Sequence, residues 1–176
     1  MRIKDILDSA TTVQQLSVRE YESHDKYSKI IELAEAALDI FESFLKTPHR
    51  RDDIMAIAFH DMVFRAHRSI QAAILLSLGG LEIPALSLTR DLLEIEYLLR
   101  YFIECPTEVK IWWRGDRRLR QSRFGPGILR GKLAKDQQMK TKMDDDYFGH
   151  SEVAAHPSPL SLELQKGSYG VGGLAR

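Results

Sequence analysis

The sequence predicts an all-α protein, a single-domain antiparallel helical bundle built on a central αα-hairpin. Apolar residues recur at three- and four-residue steps over most of the chain, and no useful stretch alternates with the two-residue period of a strand. The segment 69–104 holds two long apolar helical runs, which are separated by Gly79-Gly80 and restart near Pro84. Two such runs joined by a short loop predict the hairpin.

Length and composition set the class of protein. A chain of 176 residues is long enough to bury one core, and we predict a helical domain over 1–160 and a flexible glycine-rich tail over 161–176. Charge interrupts each apolar run before the roughly 18 residues that a bilayer span needs. The N-terminus lacks signal-peptide features, and the single cysteine, Cys105, excludes an internal disulfide. We therefore expect a cytoplasmic protein with no membrane contact and no cofactor.

The N-terminal part is predicted to hold two helices. The first is short, and Thr11-Thr12 is the cap signal for the second, which runs from about Val13 to Lys46 and ends at Thr47-Pro48. The second helix is amphipathic because its apolar residues share one broad face. They are Ile30, Leu33, Ala34, Ala37, Leu38, Phe41, Phe44 and Leu45.

The central hairpin follows. Its first helix is predicted from Asp52 or Asp53 to Leu78, and its second from near Pro84 to Cys105-Pro106. The second helix is apolar on nearly all sides, so we expect it to be central. One polar strip, Glu96, Arg100 and Glu104, is predicted to be solvated. Another, formed by Ser87, Arg90, Asp91 and Glu94, shares its sector with apolar residues and is predicted to be enclosed.

The region after Pro106 is basic. We predict a short helix that starts at Val109 and has a basic body over 114–123, a turn at 124–127, and a basic helix from Ile128 to Met143. The triplet 144–146 is predicted to cap a last element, 147–156. Between residues 110 and 142, eleven basic residues stand against two acidic ones. That segment is thus +9, and the neutral total leaves −9 for the remainder.

Arg90 and Glu94 stand one helical turn apart on the predicted central helix. If the pair is enclosed, each charge needs the other and further hydrogen bonds, because an unpaired buried charge is costly. We favour an internal ion pair that fixes helix packing. The alternative is that both residues position a catalytic group, since perturbed ionisable pairs also mark active sites.

The histidines are a second group of candidate site residues, after Arg90 and Glu94. His60 and His67 share a helix shoulder, His150 and His156 lie late in the chain, and Glu94 could join them as a metal site with nitrogen and oxygen ligands. No metal-ligand motif supports this, so we predict no metal site and keep His60 and His67 as weak candidates. His156 precedes Pro157 near a helix C-terminus, which suits a general acid, a phosphate contact or a plain cap.

The basic segment is the third constellation. Arginine forks bind phosphate and aromatic rings stack on bases, so this composition fits an RNA-binding surface. The alternative is a solvated face, or one that docks on acidic surface of this chain or of a second copy. The predicted RNA-binding residues are Arg114, Arg117, Arg118, Arg120, Arg123 and Trp112.

The motifs GLEIPALSLTRDLLEIEYLL and HSEVAAHPSP, with the basic Trp-containing segment between them, resemble a widespread bacterial all-helical family of unknown function. The chain is also distantly similar to the HEPN superfamily of RNA-binding and RNA-cleaving domains in toxins and phage defence. That resemblance implies a dimer with a metal-free site in which His156 matches the histidine, Glu152 the polar residue and Ser151 the arginine. The arginine is absent, and cleavage needs a cation at the charged transition state. The resemblance also implies further helices beyond the present glycine-rich end.

The leading hypothesis is a degenerate HEPN-like domain that binds RNA or a partner protein, in stress or phage defence, as a homodimer. One alternative is a metal-independent ribonuclease that uses His156, with Arg90 and Glu94 positioning it. Another is a bundle that binds a metal or small ligand through His60, His67, Glu94 and His156.

Overall fold

The computed structural model describes residues 3–23, 25–48, 50 and 52–155. This part of the chain forms eight helices and no strand. The all-α prediction is confirmed. In chain order the helices are α1 (Ile3–Ser23), α2 (Asp25–Lys46), α3 (Ile54–Leu78), α4 (Glu82–Glu104), α5 (Glu108–Arg114), α6 (Arg117–Phe124), α7 (Pro126–Leu133) and α8 (Gln137–Ala155).

The hairpin of α3 and α4 is the centre of the bundle, as predicted. Asp53 caps α3, because its side chain accepts hydrogen bonds from the backbone N–H groups of Met55, at 2.9 Å, and Ala56. At the other end Gly80 adopts a φ of +70°, a conformation that glycine reaches without strain. This turn brings α4 back along α3, and α4 then packs against α3, α7 and α8.

The core lies where α4 meets the C-terminal helices. Phe102 of α4, Val109 of α5 and Leu129 of α7 are its largest fully buried side chains. The Phe102 ring is 5.6 Å from the ring of Trp112 and 5.9 Å from that of Phe124. Such tilted and edge-on contacts stabilise aromatic clusters beyond their buried area. They fix α5 and α6 against the end of α4.

The predicted boundary between the first two helices is wrong. Thr11 and Thr12 lie inside α1, and the Thr12 hydroxyl donates to the carbonyl of Asp8 at 3.0 Å. A threonine that bonds one turn back is accommodated within a helix, so its presence did not indicate a cap. α2 begins only at Asp25 and ends at Lys46, as the Thr47-Pro48 signal predicts.

The prediction of one helix over 109–123 is also wrong, because α5 and α6 are separate helices. Gly115 is extended between them, and Asp116 caps α6 by accepting from the backbone N–H of Leu119 at 2.8 Å. A Cβ at Gly115 would come within 2.6 Å of the Leu119 side chain and 2.9 Å of the Ile111 carbonyl. The close crossing therefore depends on glycine.

The last helix boundary differs from the prediction for a related reason. α7 ends at Leu133, and Asp136 accepts from the backbone N–H of Met139 at 2.7 Å. α8 therefore begins before the acidic triplet 144–146, which lies within the helix and caps nothing. The predicted cap is wrong because Asp144 is bound to side chains.

Two further predictions concern membrane spans and the C-terminal tail. No helix in the described part is long and apolar enough to cross a membrane. The predicted tail over 161–176 lies outside the described residues, and so does His156.

Candidate functional site

A polar cluster joins α4 to α8 and consists of Arg90, Glu94 and Tyr147; we call it the α4–α8 cluster. Arg90 donates to the Tyr147 hydroxyl from Nη2 at 2.9 Å and from Nε at 3.2 Å. The same hydroxyl donates to Glu94 Oε1 at 2.9 Å, and Arg90 Nε lies 3.4 Å from that oxygen. The hydroxyl therefore bridges the predicted ion pair.

The environment of Tyr147 keeps its phenol neutral. Burial raises the pKa of Tyr147, and the hydrogen bond to Glu94 and the charge of that carboxylate raise it further. The hydrogen bonds from Arg90 lower the pKa by less. A neutral phenol that both donates and accepts positions two helices but is not an activated nucleophile. The geometry supports the packing role favoured for Arg90 and Glu94.

Arg130 of α7 covers the other side of Tyr147. Its guanidinium lies 4.2 Å from the centre of the Tyr147 ring, and the side chain is only 4% exposed. Arg130 Nε donates to Asp144 at 2.6 Å, and Lys140 donates to the second Asp144 oxygen at 2.5 Å. The hydrogen bonds from Lys140 and then from Arg130 lower the pKa of Asp144. Arg130 Nη1 is buried and has no hydrogen-bond partner within the described residues.

The enclosure predicted for the polar strip of α4 is only partly correct. Arg90 and Glu94 are each 35% exposed, and Ser87 is exposed. Asp91 turns the other way, toward α3, where it accepts hydrogen bonds from Arg65 and from the Ser69 hydroxyl. The strip therefore serves two helix contacts, one with α3 and one with α8.

Sequence reasoning missed Tyr147 and Arg130. Met139, Met143 and Tyr147 recur every four residues and pack on the core from α8. That period was the available signal, but the incorrect helix boundary at residue 144 divided it. Arg130 gave no signal, because a buried arginine cannot be distinguished from its exposed neighbours by residue type.

The structure describes His60 and His67 but not His156, so it bears on only part of the histidine predictions. His60 lies 3.6 Å from Asp61, and His67 is buried, with no described hydrogen-bond partner for Nε2. No group of three or more potential metal ligands occurs among the described residues. Since His156 lies outside them, both the metal-site alternative and the ribonuclease alternative stay predictions.

Some cations of the basic segment bind other residues of the chain, and we call them engaged. Others form no ion pair within the described residues, and we call them unengaged. Arg123 donates to Glu108 at 2.6 and 2.7 Å, and that hydrogen bonding lowers the pKa of Glu108. Lys132 donates to the Tyr101 hydroxyl and to the Arg123 carbonyl. Seven other basic residues of this segment are exposed and have no ion pair within the described part of the chain: Lys110, Arg114, Arg117, Arg118, Arg120, Lys135 and Lys142.

Four of these unengaged residues, Arg114, Arg117, Arg118 and Arg120, lie on α5 and α6, and we call them the arginine surface. Of the two nearby tryptophans, Trp112 packs on Phe102, whereas Trp113 is 37% exposed. Trp113 is therefore the more accessible ring. Arg123, although predicted to bind RNA with the others, is held by Glu108.

Comparisons with protein-family models, curated proteins and solved structures find no match to this chain. The resemblance to the HEPN superfamily therefore stays a prediction.

Proposed function

We propose that the protein binds single-stranded RNA through the arginine surface. The observation that carries this proposal is that four arginines within seven residues are exposed and lack carboxylate partners in the part of the chain that the structure describes, while Arg123 has one. Unpaired guanidinium groups are free to form bidentate hydrogen bonds with phosphate. These arginines can form such hydrogen bonds without any rearrangement of the fold.

Trp113 favours a single strand over a duplex. Its ring is partly exposed next to Arg114 of α5, and an aromatic face offers stacking to an unpaired base. α6 has eight residues and is about 12 Å long, so it contacts only a few nucleotides. We therefore expect weak, strongly salt-dependent binding with little sequence preference.

The test is RNA binding by fluorescence anisotropy over a series of salt concentrations. The variant carries Arg117→Gln, Arg118→Gln and Arg120→Gln. The matched control carries Lys46→Gln, Arg50→Gln and Arg100→Gln, which remove the same charge from exposed residues that have acidic partners elsewhere. Each single-strand phosphate contact contributes about 0.7 to the slope of log affinity against log salt, so the variant should lose about 2 from that slope. Equal slopes in variant and control would reject the proposal.

A polyglutamate competitor distinguishes RNA from an acidic protein partner. Trp113→Ala should weaken RNA binding by about tenfold, since a stacked base contributes roughly 1–3 kcal/mol. It should leave polyglutamate binding unchanged, because that polymer offers no base. If polyglutamate displaces RNA as effectively as unlabelled RNA does, and Trp113→Ala has no effect, the surface is a docking site for acidic protein.

A further inference from the structure

α2 carries two apolar stripes, and within the described part of the chain only one of them packs against the core. The inner stripe includes Phe41, which packs against the core. The outer stripe consists of Leu33, Ala37, Ile40 and Phe44, and we call it the α2 seam. Leu33 is 72% exposed and Ile40 is 68% exposed. Apolar side chains this exposed on a 22-residue helix call for a partner.

The spacing of the α2 seam identifies the kind of partner. Its residues follow one another at steps of four, three and four, which is the repeat of the a and d positions of a coiled coil. Such a seam packs against another helix with the same repeat. The positions that border it toward solvent, Ala36 and Ser43, are small and uncharged, so a second helix can approach closely without repulsion at the margin.

We infer that the α2 seam is the interface with a second copy of this chain, and that the two α2 helices pair antiparallel. With the twofold axis between Leu38 and Asp39, Leu33 of one copy faces Phe44 of the other. The same axis sets the small Ala37 opposite the large Ile40. Alternation of large and small side chains across a seam gives dense packing, and an interface that repeats itself about a twofold axis is what a homodimer requires.

The seam leads into an apolar depression that enlarges the contact. Phe44 forms part of the wall of a depression of about 370 Å³, with Met55, Ala56 and Phe59 of α3 beside it. In the antiparallel arrangement Leu33 of the other copy lies at its edge. In this register the two α2 helices overlap over residues 31–46, a length of about 24 Å. Together with this depression, the pair buries on the order of 1,000 Å² in total. That area meets the lower limit for a specific interface, so the dimer should dissociate at micromolar concentrations.

Sedimentation velocity of the full chain tests the inference between about 1 and 100 µM. We expect a monomer–dimer equilibrium that Ile40→Lys weakens by about a hundredfold, because the charge would be buried at the seam. Leu75→Lys is the matched control, since Leu75 is 58% exposed on α3 and lies outside the seam; it should leave the equilibrium unchanged.

Two results would overturn the inference: a monomer at all concentrations, or a dimer that persists in Ile40→Lys. Circular dichroism establishes that the variant is folded, and Leu33→Gln provides a second, milder substitution. A wild-type monomer would also exclude self-association as the role of the seam and leave a helix of another protein as its occupant.

Disulfide crosslinking tests the orientation. In a Cys105→Ser background, Leu33→Cys mixed with Phe44→Cys should give a crosslinked heterodimer, because the antiparallel register brings these positions within the roughly 7 Å that a disulfide spans. Leu33→Cys alone should not crosslink to itself. If it does, and the mixture gives no heterodimer, the antiparallel pairing is wrong.

Discussion

The N-terminal helices α1 and α2 and the block from α3 to α8 are built from similar amphipathic sequence but bury it to different extents. Every buried side chain that the structure describes lies between Ala58 and Tyr147, and none of the side chains described on α1 and α2 is buried. α2 contributes only partly buried contacts, such as Phe41, while Leu33 and Ile40 face solvent. An apolar stripe therefore reports that a helix needs a partner, without saying whether that partner is in the same chain.

The largest expected difference between the two regions is the cost of removing a phenylalanine. Phe102→Ala should lower the free energy of unfolding by about 3–5 kcal/mol, because the ring is fully buried between Trp112 and Phe124 and its loss leaves a cavity. Phe44→Ala, the same change on the α2 seam, should cost no more than about 1 kcal/mol in the monomer. Urea unfolding at low protein concentration measures both. Similar costs would contradict the comparison.

Arg130→Ala should have the next largest effect within the α3–α8 block. The substitution removes a buried guanidinium from the face of Tyr147 and leaves Asp144 with only Lys140, at a cost of about 3 kcal/mol. Arg100→Ala is the matched control, because its ion pair with Glu96 is exposed; it should cost less than about 1 kcal/mol. Equal losses in thermal and urea unfolding would mean that Arg130 is not buried in solution.

Tyr147→Phe should have a smaller effect that depends on pH. Loss of the hydroxyl bridge should cost about 1 kcal/mol at neutral pH. Because folding raises the pKa of Tyr147, its contribution is present below about pH 10, the usual value for tyrosine, and is lost as pH rises through the higher folded value. The wild type should therefore lose more stability than the variant on alkaline titration. Parallel curves would place the phenol outside this network.

The smallest expected effect is that of Leu33→Ala on the N-terminal region. In the monomer this change should alter the free energy of unfolding by less than about 0.5 kcal/mol, because Leu33 contacts mainly solvent. At high protein concentration the wild type should be more stable than the variant, since dimerisation stabilises the folded state by mass action. Thermal unfolding at two protein concentrations separates the stability of the monomer from the additional stability that dimerisation provides. A large loss at low concentration would show that Leu33 is packed within its own chain.

Helix ends that depend on local chemistry could be predicted from the sequence. The helix start at Asp52 or Asp53, the hairpin turn at Gly79-Gly80 and the helix end at Cys105-Pro106 each depend on their own backbone neighbourhood. The turn and the helix end were predicted correctly, and Asp53 is the one of the two aspartates that caps α3. The central position of α4 was predicted because a helix that is apolar on most sides must be covered on most sides.

Contacts between polar residues that are distant in the chain depend on how the helices pack. Thr12 and Asp144 carry cap chemistry, yet the helix itself satisfies Thr12, and Asp144 is bound by Arg130 and Lys140. Tyr147 lies 53 residues from Glu94 in the chain, and their contact exists only because α8 packs on α4. The same packing separates engaged from unengaged arginines. Burial and ion pairing depend on residues that are far apart in the chain, and a local sequence pattern does not show which of them come into contact.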